Sequence, residues 1–169
     1  MNNFRMFLKC VLLTLLVEIA ASAGFADDTA KKGFSNTLPL IYLTLIFDGE
    51  INKNDKPVGF HARPLGKDPE KNGNKLAGLI AIIDKPNKYG VYTATVWIRQ
   101  KNKTKQSTFY PDKMSREEVV QAILQAYKNG KALPGGKFRG PSGKGFTIEG
   151  YTLGNDGINT AYPIYGETK

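Results

Sequence analysis

Residues 89–99 alternate, with Tyr92, Ala94, Val96 and Ile98 on one side and Val91, Thr93, Thr95 and Trp97 on the other. A period of two places successive side chains on opposite faces, so this stretch predicts a strand with one buried face. Residues 76–83 predict a partner strand across the turn Asp84-Lys85-Pro86-Asn87. After a basic loop at 100–105, Ser107-Thr108-Phe109-Tyr110 is expected to pair back on the 89–99 strand as a hairpin. Upstream, residues 38–47 form an apolar run broken early by Pro39, which fits a short helix or a buried strand equally well. Residues 48–57 are turn-rich and suggest a hairpin with arms at 50–52 and 58–61, and 64–74 read as a polar loop.

The period lengthens at Ser115. Ser115-Arg116-Glu117-Glu118 is a capping box, in which hydroxyl and carboxylate satisfy amides that the first turn leaves unpaired. Val119, Val120, Ile123, Leu124 and Tyr127 then form one apolar stripe, and Asn129-Gly130 supplies the stop. The stripe requires a sheet to pack against. Residues 135–145 read as a loop, and 146–152 and 158–165 as closing strands joined at Gly154-Asn155-Asp156-Gly157. There is no internal repeat. The expectation is an α+β fold, a twisted antiparallel β-sheet packed against a small number of helices.

Length and composition narrow this further. The chain has 169 residues, which favours one domain, and carries 24 Lys+Arg against 15 Asp+Glu and a single Cys. Arg5 and Lys9 precede an apolar run at 11–20, and Ala21-Ser22-Ala23 gives a small-x-small cleavage pattern with a second option at Ala26. Residues 1–26 are therefore expected to be a secretory signal, 27–37 a linker and 38–169 the domain. On that reading the mature chain loses Cys10, so disulfides, thiol nucleophiles and cysteine metal sites are excluded. It would be secreted or periplasmic, monomeric and not inserted in a membrane after cleavage. Residues 85–147 hold 13 basic side chains against three acids, a net of +10 that carries the whole excess. A field of that sign concentrates polyanions, nucleic acid foremost, although a solubilising face would have the same composition.

Three groups of residues carry candidate chemistry. His61 is the sole histidine and has Arg63 two residues away, pairing a proton-transfer group with a cation suited to an anionic substrate. One histidine and so few cysteines make a transition-metal site improbable, and no metal or other cofactor is expected. The glycine-rich stretch 135–145 holds Lys137, Arg139, Ser142 and Lys144, a composition able to approach phosphate closely, but it is not a Walker motif because Phe138 and Gly145 occupy defining positions. Thr160 and Tyr162 lie two apart on the last expected strand and share a face, a hydroxyl beside a ring that suits a nucleotide. No Gly-x-Ser-x-Gly elbow is present, which argues against acyl transfer.

The ordered segments resemble the bacterial EndoU nuclease family: Asp48-Gly49-Glu50-Ile51-Asn52, Val58-Gly59-Phe60-His61-Ala62-Arg63-Pro64, Gly90-Val91-Tyr92-Thr93-Ala94, Ser107-Thr108-Phe109-Tyr110-Pro111-Asp112, Gly145-Phe146-Thr147-Ile148-Glu149-Gly150-Tyr151, and Gly157-Ile158-Asn159-Thr160-Ala161-Tyr162-Pro163-Ile164. The resemblance covers residues 38–165. It implies a ribonuclease fold of the barnase/EndoU/RelE type and metal-independent cleavage of RNA, tRNA being one candidate, through 2'-OH attack to a 2',3'-cyclic phosphate. It further implies His61 as general acid or base, Thr160 and Tyr162 contacting base and scissile phosphate, and Lys144 or Arg63 stabilising transition-state charge. Arg139 and Ser142, from the composition of the glycine-rich stretch, are further substrate-binding candidates. The family uses two histidines and a lysine. This chain has one histidine, so the second proton-transfer role would fall to Tyr162 or Lys144. An exported toxin or effector of this kind implies an acidic immunity protein as partner; the alternative is a non-enzymatic RNA- or polyanion-binding module.

Overall fold

The computed structural model describes residues 32–154 and 157–166. The expected signal at 1–26 and residues 27–31 of the linker lie outside the described residues. In chain order the elements are β1 (Leu40–Ile41), α1 (Leu43–Phe47), β2 (Glu50–Ile51), β3 (Pro57–Val58), β4 (Glu70–Lys71), β5 (Asn74–Lys75), β6 (Ala77–Asp84), β7 (Tyr92–Ile98), β8 (Lys103–Phe109), α2 (Arg116–Asn129), β9 (Lys131–Leu133), β10 (Lys137–Pro141), β11 (Thr147–Thr152) and β12 (Gly157–Pro163).

The alternation in β7 is realised in full: Tyr92, Ala94, Val96 and Ile98 are buried. Strand β7 is the centre of an antiparallel sheet, β6-β7-β8, whose inner face joins Phe60, Ala77 and Phe109 in one apolar cluster. The outer edge, β6, leaves Ile80, Ile82 and Ile83 exposed. A second sheet, β1-β12-β11-β10-β9, is antiparallel except for the parallel pair β1 and β12. Helix α2 lays Val119, Ala122, Ile123 and Ala126 against this sheet, in a cluster with Phe138, Ile148, Ile158 and Ala161. Each such fully buried Ile or Phe contributes roughly 1.5–3 kcal/mol. The capping box forms as expected, with the Glu118 amide donating to Ser115 Oγ at 3.2 Å and the Ser115 amide to Glu118 Oε2 at 3.0 Å.

The architecture is α+β, as the sequence predicts, with the antiparallel pairing divided between these two main sheets and two short hairpins, β2-β3 where a hairpin is expected and β4-β5 at the end of the expected loop 64–74. Residues 38–47 hold both alternatives in succession, strand β1 and then helix α1. The expected loop at 135–145 is in part a strand: β10 pairs with β11, and Phe138 sits opposite Gly150, whose missing side chain makes room for its ring. Strand β8 begins earlier than expected because Lys103 and Thr104 pair with Ile98 and Trp97. Residues 32–37, expected as linker, fold back on the domain, with the Ser35 amide bonding to Ile41 O at 2.9 Å and the Leu43 amide to Gly33 O at 2.8 Å. No described helix is long and apolar enough to cross a membrane.

Candidate active site

His61 is positioned from both sides by backbone. Gly59 has φ +75 and lies so close to α1 that a Cβ there would meet Leu45 O at 2.6 Å, so only glycine lets the chain pass. Phe60 follows with φ +59, a strained conformation for a bulky residue, held by burial of its ring edge-on to Phe109 at 5.1 Å. The amides of Phe60 and His61 then donate to Leu45 O and Ile46 O at 3.0 and 2.8 Å, and the Tyr110 amide donates to His61 O at 2.9 Å. The imidazole is thereby carried to the seam between the two sheets, beside β8 and β12, and is 8% exposed.

Its proton arrangement follows from its partners. Nδ1 lies 3.0 Å from Thr108 O and 3.0 Å from Ser107 Oγ. A carbonyl can only accept, so Nδ1 carries the hydrogen and Nε2 the lone pair. Ser107 Oγ spends its own hydrogen on Phe60 O at 2.7 Å and accepts from Lys105 Nζ at 3.0 Å. Lys105 gives a second hydrogen to Gly59 O at 2.8 Å, which leaves its third without an acceptor among the described residues. His61, Ser107 and Lys105 thus form one hydrogen-bonded chain. Burial and the charge of Lys105 push the His61 pKa down to about 3, against the hydrogen bond to Thr108, so the ring is neutral at neutral pH. Burial also pushes the Lys105 ammonium down to about 8, within reach of a proton donor working near neutrality.

Two hollows open at His61. One, of about 340 Å³, is lined by Thr93, Gln106, Ser107, Thr108 and Tyr162. The other, of about 350 Å³, is lined by Glu50, Asn52, Lys105, Asn159 and Thr160. Tyr162 lays its ring beside the imidazole, centroids 5.2 Å apart. Its hydroxyl donates to Glu149 Oε1 at 2.8 Å, and burial together with that carboxylate pushes its pKa up. Burial works to raise Glu149, but hydrogen bonds from Arg139 and Tyr162 outweigh it and hold the carboxyl below its usual range. Arg139 meets it at 2.8 Å and Lys137 at 3.5 Å. Thr160 Oγ1 is buried without a hydrogen-bond partner among the described residues, an unsatisfied group of the kind that costs about 1–3 kcal/mol until something pairs with it.

Of the residues singled out from sequence, His61, Tyr162 and Thr160 come together. The others do not line these hollows. Arg63 is held by Asp68 at 2.8 Å and Asp112 at 2.9 Å, and Asp112 also accepts from Tyr92 at 2.7 Å. Ser142 is buried in a turn, donating to Phe146 O at 2.6 Å and accepting from the Lys144 amide at 3.1 Å. Lys144 pairs with Glu118 at 3.0 Å at a different place on the surface. Arg139 pairs with Glu149, which in turn accepts from Tyr162. Sequence reasoning does not single out Lys105, Ser107 or Glu149. The first two stand two apart on one strand and therefore share a face, and Glu149 is the lone acid between 119 and 155. Among the described residues no three His, Cys, Asp or Glu side chains gather into a group able to hold a metal.

Comparison with known proteins gives this geometry a context. Residues 42–165 match the family described as bacterial EndoU nuclease. A Bacillus cereus protein named Toxin is 32% identical over 121 residues, 70% of this chain and 21% of that protein, so the chain spans about a fifth of the relative's length. No solved structure matches significantly. The matched span holds every element from α1 to β12, including the seam that carries His61, and the chain belongs to the bacterial EndoU nuclease family.

Proposed function

We propose that the protein is an exported, metal-independent endoribonuclease, a toxin or effector domain that cuts RNA by 2'-OH transesterification. The carrying observation is the chain His61, Ser107, Lys105, which places a neutral imidazole and a partly buried ammonium at one seam. His61 Nε2 takes the proton of a ribose 2'-OH, and the freed oxygen attacks the adjacent phosphorus. The bond from phosphorus to the 5'-oxygen breaks, and that oxygen takes the third hydrogen of Lys105. The products are a 2',3'-cyclic phosphate and a 5'-hydroxyl. Imidazolium and neutral amine then return to their starting states by exchange with water. Each transfer supplies a typical factor of about 10²–10⁴.

The remaining residues serve binding on this reading. Thr160 helps to wall the hollow that holds His61 and Lys105, and the Tyr162 ring stacks beside the reacting nucleotide. With its proton committed to Glu149, Tyr162 is a poor proton donor, so Lys105 takes the role that sequence reasoning divides between Tyr162 and Lys144. RNA is the substrate, and an acidic immunity protein in the producing cell is the matching partner of a basic nuclease. The test is incubation of purified protein and its His61→Ala variant with tRNA and total RNA in EDTA, with end-group analysis. Cleavage to cyclic phosphate ends by the wild type alone is expected. No cleavage, or equal cleavage by both, would overturn the mechanism.

A further inference from the structure

The glycine-rich loop, which in sequence reads as part of the catalytic centre, builds a different place. Lys144 lines a hollow of about 400 Å³ together with Lys88, Tyr89, Lys113, Glu118 and Phe146. This hollow shares no lining residue with either hollow at His61. We propose that it is an RNA-binding exosite that holds a nucleotide of the strand outside the one that is cut. The inference rests on the ribonuclease reading above for its substrate class and on the following geometry for its location.

Three lysines face one carboxylate. Lys88 and Lys113 make no ion pair among the described residues. Lys144 is paired with Glu118, but the two side chains are 42% and 47% exposed, and exposed pairs of this kind are worth only about 0–1 kcal/mol. A phosphodiester can therefore exchange for Glu118 as the partner of Lys144 at little cost. Glu118 would keep its other oxygen on the Ser115 amide, so the helix cap survives the exchange. The turn presenting Lys144 is fixed by Ser142, whose hydroxyl bonds at both of its ends.

Tyr89 supplies the aromatic surface that distinguishes a nucleotide site from a bare patch of charge. Its ring lies against Gly145, where a Cβ would stand 2.4 Å from a ring carbon, and φ there is +91, so glycine is required twice over. The backbone of Tyr89 is set by Asn87, whose Oδ1 accepts from the Tyr89 amide at 2.9 Å and the Val91 amide at 3.1 Å. Lys88 Nζ lies 4.9 Å from the ring centroid. A positioned ring beside three ammonium groups is the arrangement by which single-stranded RNA is held without sequence preference, the base stacking and the backbone taking the charge.

The test compares the protein with its Lys88→Ala/Lys113→Ala and Tyr89→Leu variants. In one arm, a long unstructured oligoribonucleotide and a dinucleotide are cleaved in parallel. Either variant is expected to raise the KM for the long RNA relative to that for the dinucleotide by about tenfold. In the other arm, binding of the same long RNA is titrated at several salt concentrations in a His61→Ala background. The double lysine variant should flatten the slope of log Kd against log salt by about 1.4, at about 0.7 for each phosphate of a single strand that a lysine no longer neutralises. An unchanged KM ratio together with an unchanged salt slope overturns the exosite. A response to the lysines with none to Tyr89→Leu also overturns it, because that is diffuse charge and not a nucleotide site. If the wild type cleaves nothing, the catalytic reading fails, and the binding arm decides the exosite alone.

Discussion

His61 donates through Nδ1 to the carbonyl oxygen of Thr108 at 3.0 Å, and that bond decides which nitrogen is free to react. Because the carbonyl belongs to β8, ring orientation and tautomer are fixed by a strand that a side-chain substitution does not remove. The imidazole therefore keeps its geometry when its other neighbours are changed, and their contributions can be read separately.

Lys105 is the first such neighbour. Its ammonium loses a proton as pH rises through about 8, so kcat/KM of the wild type should fall above that value. Lys105→Arg keeps the positive charge but does not release a proton in this range. It should bind RNA with little change in KM while kcat drops by about 100-fold or more. A Lys105→Arg enzyme with wild-type kcat would show that charge alone is needed there.

Ser107→Ala removes the acceptor of Lys105 and the donor to Phe60 O. Leaving that buried carbonyl unpaired should cost about 1–3 kcal/mol in urea denaturation. A purely structural serine would do no more than this. Loss of a hydrogen bond to the charged amine should also shift the alkaline limb of the rate profile to lower pH.

Tyr162→Phe deletes one hydrogen bond, to Glu149, and keeps the ring beside His61. Activity should stay within about tenfold of wild type, whereas Tyr162→Ala, which also removes the ring, should lose more. A loss of about 100-fold or more in Tyr162→Phe would return the acid role to the phenol.

The burial of His61 also sets an acid limit on stability. The folded chain keeps the ring neutral down to about 3, while the unfolded chain takes up its proton near 6.5. Between those values the unfolded state binds more protons, so stability falls as pH falls, by up to about 1.4 kcal/mol per pH unit for this group. His61→Gln should lose that part of the slope, measurable as the difference in urea stability between pH 7.5 and pH 5.5 in the two proteins.

Much of this arrangement is written in local sequence. The alternation of β7, the capping box at Ser115 and the shared face of Thr160 and Tyr162 each depend on residues within a turn or two of one another, and each is present. What the sequence hides is contact across long separations. His61 and Ser107 are 46 positions apart, and only the meeting of the 59–61 segment with β8 makes Ser107 and Lys105 part of its surroundings. Arg63 is by composition equally suited to an anionic substrate, but Asp68 and Asp112 claim it in the folded chain. Lys144 departs from its expected place for a related reason: its direction is set by the turn at Ser142 and by Tyr89 lying on Gly145, neither of which has a signature in spacing.

Strand β12 has a consequence for the order in which the site is assembled. It lies between β1 and β11, with Leu40 opposite Gly157, so the five-stranded sheet joins an early segment to a very late one. Pairing over such a separation waits on the later segment, because the entropy of closing the loop is met before any contact repays it. The same strand carries Thr160 and Tyr162. Until β12 is in place the seam lacks the wall that carries these two side chains, so the candidate site is completed only when the five-stranded sheet closes.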